Sequence, residues 1–298
     1  MRTRNDLLAL AGRYATQRRV PVATIIKEIL HYEILFALNQ SGAAALLTFQ
    51  GGTSLRLCYQ GNRYSEDLDF VGGADFDPAE MAPFSDMLQR EIGEAYGLEV
   101  DVSPPKSRER LDANGQPAAP EEVAVARWRA RVQIPQPDPS AGQRQIIHIE
   151  VASVPAHTRD LMPVAVNYDH LPGPLRQMLV VVETLPEILA DKLVALGARP
   201  YLKARDVWDL KFLRDRAVAL DPALVAAKLA DYRLSPAAFR QTLQARVDHL
   251  ASPDAETTFI REMSRFVDNT VASQLAIPGI ARRYLDAAAT CARPLLSA

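Results

Sequence analysis

The stretch FQGGTSLRLCYQGNRYSEDLDF, Phe49 to Phe70, decides how this chain is read. It has two parts. Gly51-Gly52 follows a short apolar run, Ala44 to Phe49, which reads as a buried strand, and it opens a short helix, Thr53 to Tyr59. Glycines let the backbone come close to a ligand, and the first amides of a helix attract phosphate. Next comes Asp67-Leu68-Asp69, at the start of an expected strand, Asp67 to Val71, closed by Gly72-Gly73. Residues i and i+2 of a strand share a face, so the two carboxylates point the same way and repel each other unless a cation sits between them. Mg²⁺ or Mn²⁺ takes such hard oxygens together with phosphate, and a pair of ions activates a hydroxyl and stabilises the leaving group. A double glycine alone marks a turn, and Asp-x-Asp alone is common on a solvated edge. Together, at this spacing, they carry weight.

Outward from this stretch, periodicity assigns two helices before it, Asn5 to Arg18 and Val22 to Leu38, with Ile25, Ile26, Ile29, Leu30 and Ile34 on one stripe of the second. After it come a helix, Asp77 to Tyr96, with Asp77 as N-cap before Pro78, and strands Leu98 to Val102, Val123 to Ile134 and Gln145 to Val154. Two loops rich in Pro, Gly and Ala, Asp112 to Pro120 and Pro135 to Gly142, separate those strands. A last strand, Gln177 to Val182, leads into helices at Glu187 to Leu196, Arg205 to Asp215, Pro222 to Asp231, Pro236 to Leu250 and Thr257 to Val271. The fold class is therefore α+β: a small mixed, mainly antiparallel sheet with flanking helices, then a C-terminal helical bundle. The boundary falls near Thr184, giving domains at 1–183 and 184–298.

Glu150 is the candidate third carboxylate. In Ile146-Ile147-His148-Ile149-Glu150-Val151 the period-two rule puts Ile147, Ile149 and Val151 on the core face, and Ile146, His148 and Glu150 on the open one. An unpaired buried Glu in so apolar a strand would be costly, which favours the open face.

Bulk properties narrow the classes. With 298 residues and 48% hydrophobic content the chain can bury a sizeable core, and no apolar run is long enough for a membrane helix. The start, MRTRNDLLAL, lacks the features of a secretory leader. Cys58 and Cys291 lie far apart and form no metal-ligand spacing, so a reducing cytoplasm is expected. A net charge of −2 rules out a strong global field for nucleic acid but leaves room for local basic clusters, Arg127, Arg129 and Arg131 and again Arg199, Lys203 and Arg205. Trp128 and Trp208 are expected in the core.

The motifs resemble a known family. Gly51-Gly52-Thr53-Ser54-Leu55, then Arg63-Tyr64-Ser65-Glu66-Asp67-Leu68-Asp69-Phe70, is similar to the AbiEii/AbiGii toxin branch, with its MenT-like members, of the DNA polymerase β-like nucleotidyltransferases. Arg63 and Ser65 match the Arg-x-Ser that this branch carries before its aspartates. The gap from Gly52 to Asp67, fourteen residues from Thr53 to Glu66, is slightly longer than the common superfamily spacing. A second block, Glu187-Ile188-Leu189-Ala190-Asp191-Lys192-Leu193 and Lys203-Ala204-Arg205-Asp206-Val207-Trp208-Asp209-Leu210, matches the family's essential Lys and later Arg-Asp pair at Lys192 and Asp206.

The resemblance implies a nucleotidyltransferase fold and an enzyme that moves NMP from an NTP to an acceptor, the 3′ end of tRNA first, as a toxin with a cognate antitoxin. It implies that Asp67 and Asp69 bind the metals, that Gly51, Gly52 and Thr53 or Ser54 cradle the triphosphate near Ser65, and that Lys192 neutralises phosphate charge. Asp206 either orients Lys192 or a substrate hydroxyl; Arg63 and Arg205 either hold phosphates or brace the acids. A protein or small-molecule acceptor, or nucleotide binding without turnover, stays open at this point.

Overall fold

The structure, a computed structural model, describes residues 3–105, 123–134 and 143–297, without the side chains of 134, 143 and 144. The two loops expected at Asp112 to Pro120 and Pro135 to Gly142 lie outside the described residues. The chain divides into two compact units. One is made from Met1–Gln60 and Tyr64–Val182, the other from Gly61–Arg63 and Glu183–Ala298.

The first unit opens with α1 (Arg4–Arg18), started by a capping box in which Thr3 and Asp6 satisfy each other's backbone amides. Helix α2 (Val22–Ser41) runs beyond its expected end and stops at Gly42, in the left-handed region. It buries Ile25, Ile26, Ile29, Leu30 and Ile34, and also Glu28, His31 and Glu33. The strand expected from Ala44 is mostly a 3-10 turn, Ala43–Leu46, because a run of alanines favours a helical turn over an extended chain. The strand itself, β1, is only Thr48–Gln50, and α3 (Gly51–Cys58) follows at once. Strand β2 spans Leu68–Val71, so Asp67 stands just before it.

The helix expected from Asp77 is also divided. Asp77 caps a 3-10 turn, Pro78–Met81, and α4 (Ala82–Tyr96) restarts with Pro83 in its first turn, where a missing amide does no harm. Strands β3 (Val100–Ser103), β4 (Val125–Ile134), β5 (Gln143–Ala152), β6 (Arg159–Pro163) and β7 (Leu179–Glu183) complete one seven-stranded sheet, ordered β3-β4-β5-β2-β1-β7-β6. It is mixed: β1–β2, β3–β4 and β4–β5 are antiparallel, β1–β7 and β2–β5 parallel. Sequence periodicity does not reveal β6, which is mostly exposed and so shows no alternation of apolar and polar residues.

Register assigns the two faces. Phe49, Phe70 and Val151 are neighbours across β1, β2 and β5, as are Leu68, Ile149 and Trp128 across β2, β5 and β4. All of these are buried in the core with α2 and α4. On the alternate positions Gln50, Asp69, Glu150 and Arg127 form one row across four adjacent strands. Each apolar side chain on the core face thus fixes its neighbours in the chain on the other face.

The second unit is helical: α5 (Leu185–Ala198), α6 (Ala204–Asp215), α7 (Pro222–Asp231), α8 (Pro236–Leu250), α9 (Pro253–Met263), α10 (Asn269–Leu275) and α11 (Ile280–Ala292). The single helix expected over Thr257 to Val271 is two, because Asp268 caps a new start at α10. Helix α11, not expected from the sequence, buries Ala281, Leu285, Ala287 and Ala288. Trp208 stacks on Tyr284, centroids 4.6 Å apart, inside this bundle. Lys228 is fully buried and binds Glu183 at 2.9 Å, Glu187 at 2.7 Å and Asp191 at 3.2 Å, which ties α7 to α5. Among the described residues no helix is long and apolar enough to cross a membrane.

Candidate active site

In the first unit the glycine turn and the acids meet. Gly51 has φ +79°, and a Cβ built there would lie 2.7 Å from Asp69 Oδ2. Backbone conformation and available space therefore both demand glycine at this position. Gln50, at the N-cap of α3, makes no side-chain cap, which leaves the helix start uncapped by its own chain. Thr53 and Ser54 are buried and their hydroxyls donate to the backbone carbonyls of Asp67 and Gly51, the second at 2.9 Å. As a phosphate ligand Thr53 can therefore offer its amide rather than its hydroxyl, whereas the Ser54 amide closes the first turn of α3 onto Gln50. The Thr53 bond also locks α3 onto the segment that carries the acids.

Asp67 is held from two sides. Its Oδ1 accepts from the His148 amide at 3.2 Å and lies 3.1 Å from His148 Nδ1. Behind it, His31 Nε2–H donates to the Glu66 carbonyl at 3.1 Å. Burial pushes the His31 imidazole down to about 4, so it is neutral inside α2. The alternation of the strand puts His148 on the open face; its place beside Asp67 follows from the β2–β5 pairing, which no local pattern reveals. Ser65 is half-buried in the same segment.

Glu150 sits in register with Asp69, on the face expected for it, but its carboxylate goes to Arg127 Nε at 2.7 Å. Among the described residues no three His, Cys, Asp or Glu side chains gather as a metal site. Opposite Arg127 across the β4–β5 ladder, the half-buried Glu150 carboxylate shares the open face with Asp69 and is paired with that guanidinium in the metal-free chain. Asp67 and Asp69 remain as two hard donors, Asp69 against the Gly51 bend. Such a pair suits a divalent cation that completes its shell with phosphate oxygens and water.

In the second unit the downstream block forms a network of buried charges. Lys192 Nζ donates to Asp206 at 3.0 Å and lies 2.8 Å from Asp209 Oδ2. Arg63 grips Asp209 through two bonds of 2.7 Å, and Arg199 pairs with Asp206. Burial alone would raise the two carboxyls; Lys192 with Arg199 at Asp206, and Arg63 with Lys192 at Asp209, override it and hold both low. Burial likewise opposes the Lys192 charge, but Asp209 and Asp206 outweigh it and raise its pKa, so it stays an ammonium. Arg63 therefore braces the acids. Arg205 lies over the Phe266 ring, 4.7 Å from its centroid. Asp209 escaped the sequence reading, although it follows Asp206 by three residues and so shares its helix face.

These features define a nucleotidyltransferase, and the matches agree. The family model described as nucleotidyl transferase AbiEii toxin, type IV TA system, matches residues 33–288, and the chain belongs to that family. The family carries an NTP substrate and an antitoxin partner with it. The fold is similar to that of MenT4, a nucleotidyltransferase toxin from Mycobacterium tuberculosis H37Rv, with TM-score 0.57 and 20% identity over 95% of this chain and 98% of that one. JHP933 from Helicobacter pylori matches at TM-score 0.46 and 17% identity over 92% of each chain. No curated protein sequence matches the chain.

Proposed function

We propose that this nucleotidyltransferase toxin transfers NMP from an NTP to RNA, the 3′ end of tRNA first, and so blocks translation. The observation that carries the nucleotide reading is Asp69 Oδ2 against a glycine at φ +79°, in the row Gln50, Asp69, Glu150, Arg127. The RNA acceptor is supported by the family resemblance and by the cationic cluster of the second unit.

The reaction joins an acceptor hydroxyl oxygen to the α-phosphorus, breaks the bond to the β-phosphate oxygen and releases pyrophosphate, while the hydroxyl proton leaves to solvent. Mg²⁺ or Mn²⁺ held by Asp67 and Asp69 would supply Lewis acidity and charge neutralisation. Gly51 and Gly52 leave room for the phosphates to approach the backbone at the start of α3. Lys192 contributes a compact positive charge for phosphate, kept protonated by Asp206 and Asp209. Asp206 orients that lysine, and Arg63 fixes Asp209 so that the ammonium sits between two carboxylates.

A panel of the four α-labelled NTPs with Mg²⁺, offered total RNA and total protein, tests the reading. Label on RNA in the tRNA size range is expected. Label confined to protein or to small molecules would overturn the RNA acceptor, and intact NTP after long incubation with the folded chain would overturn turnover itself.

A further inference from the structure

The connection Arg199-Pro200-Tyr201-Leu202-Lys203 joins α5 to α6, the two helices that carry Lys192 and Asp206. Leu202 is buried and pins the connection to the bundle, whereas the Tyr201 side chain beside it is 59% exposed. Its surroundings are cationic. Arg199 reaches back to Asp206. Arg246 donates to the carbonyls of Leu196 at 3.3 Å and Arg199 at 2.8 Å, which fixes the start of the connection with another guanidinium. Lys203 stands at the N-cap of α6, half-buried, and among the described residues its ammonium has no hydrogen-bond or ion-pair partner. Burial, and then Arg199 and Arg205, push its pKa down. The nearby acids are already engaged: Asp206 by Lys192 and Arg199, and Glu262 by the Ala204 amide at 3.3 Å.

An exposed aromatic ring among cations, one of them unneutralised, has the two elements that hold single-stranded nucleic acid: a stacking platform and a track for phosphates. We propose that Tyr201, with Lys203 and Arg205, is the docking surface for the single-stranded end of the RNA acceptor, a base stacking on the ring while the flanking phosphodiesters meet the cations. This rests on the RNA-acceptor reading above. A free NTP is the other source of base and phosphate, but a ring this open on a connecting loop encloses no small ligand, whereas a polymer held at several points needs no enclosure. The two contributions also differ in kind. Stacking is indifferent to salt, and phosphate contact releases counterions and weakens as salt rises.

The test measures binding of a labelled single-stranded RNA oligonucleotide across a salt series, alongside binding of each NTP with Mg²⁺, for the full chain and the variants Tyr201→Ala, Tyr201→Trp and Lys203→Gln. Tyr201→Ala should weaken RNA roughly tenfold at every salt concentration, and Tyr201→Trp should restore it. Lys203→Gln should flatten the plot of log K against log salt by about 0.7. NTP affinity and the turnover number at saturating RNA should hold in all three. RNA affinity unchanged in Tyr201→Ala and Lys203→Gln, with RNA still labelled by the unaltered chain, would overturn the surface and leave the acceptor reading standing. A loss of NTP affinity in place of RNA affinity would assign the ring to the nucleotide. An unaltered chain that neither binds nor labels RNA would overturn both.

Discussion

Gly51 is the residue at which sequence and chemistry meet most tightly. Gly51→Ala asks an L side chain to adopt φ +79° and places its methyl carbon 2.7 Å from Asp69 Oδ2. The backbone strain costs about 1–2 kcal/mol, which the unit can bear, but the clash displaces the acid. Nucleotide transfer should fall by roughly two orders of magnitude, in line with losing a well-placed catalytic group, while the melting temperature drops by only a few degrees. Transfer at the unaltered rate would show that the Asp69 carboxylate has no role in turnover. His31 gives a pH prediction at the same scale. It is neutral in the fold with a pKa of about 4, against 6.5 in the unfolded chain. Between those values the unfolded chain binds a proton that the fold refuses, so stability is full above pH 6.5 and is lost as pH falls toward 4, by on the order of 3 kcal/mol. Urea unfolding at pH 7.5 and pH 5 should show the loss, and His31→Gln should flatten it. An equal loss in the variant would assign the effect to other groups. Residues such as Gly51, Asp67 and Asp69 were legible because their chemistry is written in a short span. His148 and Asp209 were less so, since one depends on strand pairing and the other on the reading of a helix face.

At the level of elements, the legible ones were those whose apolar spacing is long and regular, such as α2 and the β4–β5 pair. Misreadings arose where two signals compete. Alanines before Leu46 look apolar enough for a strand yet favour a turn, and Pro83 and Asp268 each restart a helix inside a continuous apolar pattern. Helix α11 hides because alanine is apolar without being bulky. The buried lysine of α7 is invisible to periodicity altogether. Lys228 is the cation among Glu183, Glu187 and Asp191, where burial pushes the Glu183 and Asp191 carboxyls up, and the last of these adjoins Lys192 in the chain. Lys228→Met keeps the volume and removes the charge, leaving buried carboxyls without their cation. Such a truncation costs about 3–5 kcal/mol. Guanidinium unfolding should report a loss of that size in the helical transition; a variant as stable as the parent would show that the acids are protonated and need no counter-ion.

For the whole molecule, turnover and folding should separate. Asp67→Asn and Asp69→Asn each remove charge from neighbouring acids, which relieves repulsion in the metal-free protein. Both should melt at or above the parent temperature, transfer no label and relieve growth inhibition when expressed. Chelation by EDTA should likewise stop transfer, and added Mg²⁺ should restore it. Transfer that persists in EDTA, or in both variants, would remove the metal from the reaction. The net charge of −2 hides a concentration of cations around the α5–α6 connection, so salt should oppose RNA capture more than NTP capture.

The short passage of Gly61–Arg63 through the helical unit has a consequence for dissecting this toxin. A fragment starting at Glu183 would carry Lys192 and Asp209 but not the guanidinium that grips Asp209 from 146 positions upstream. Its lysine would keep its partners and lose their anchor, so separately expressed halves should recover function only when the upstream piece supplies Arg63. Any natural shuffling of this helical half onto another catalytic sheet would meet the same requirement, because the loop between glycine bend and acids has to travel with it.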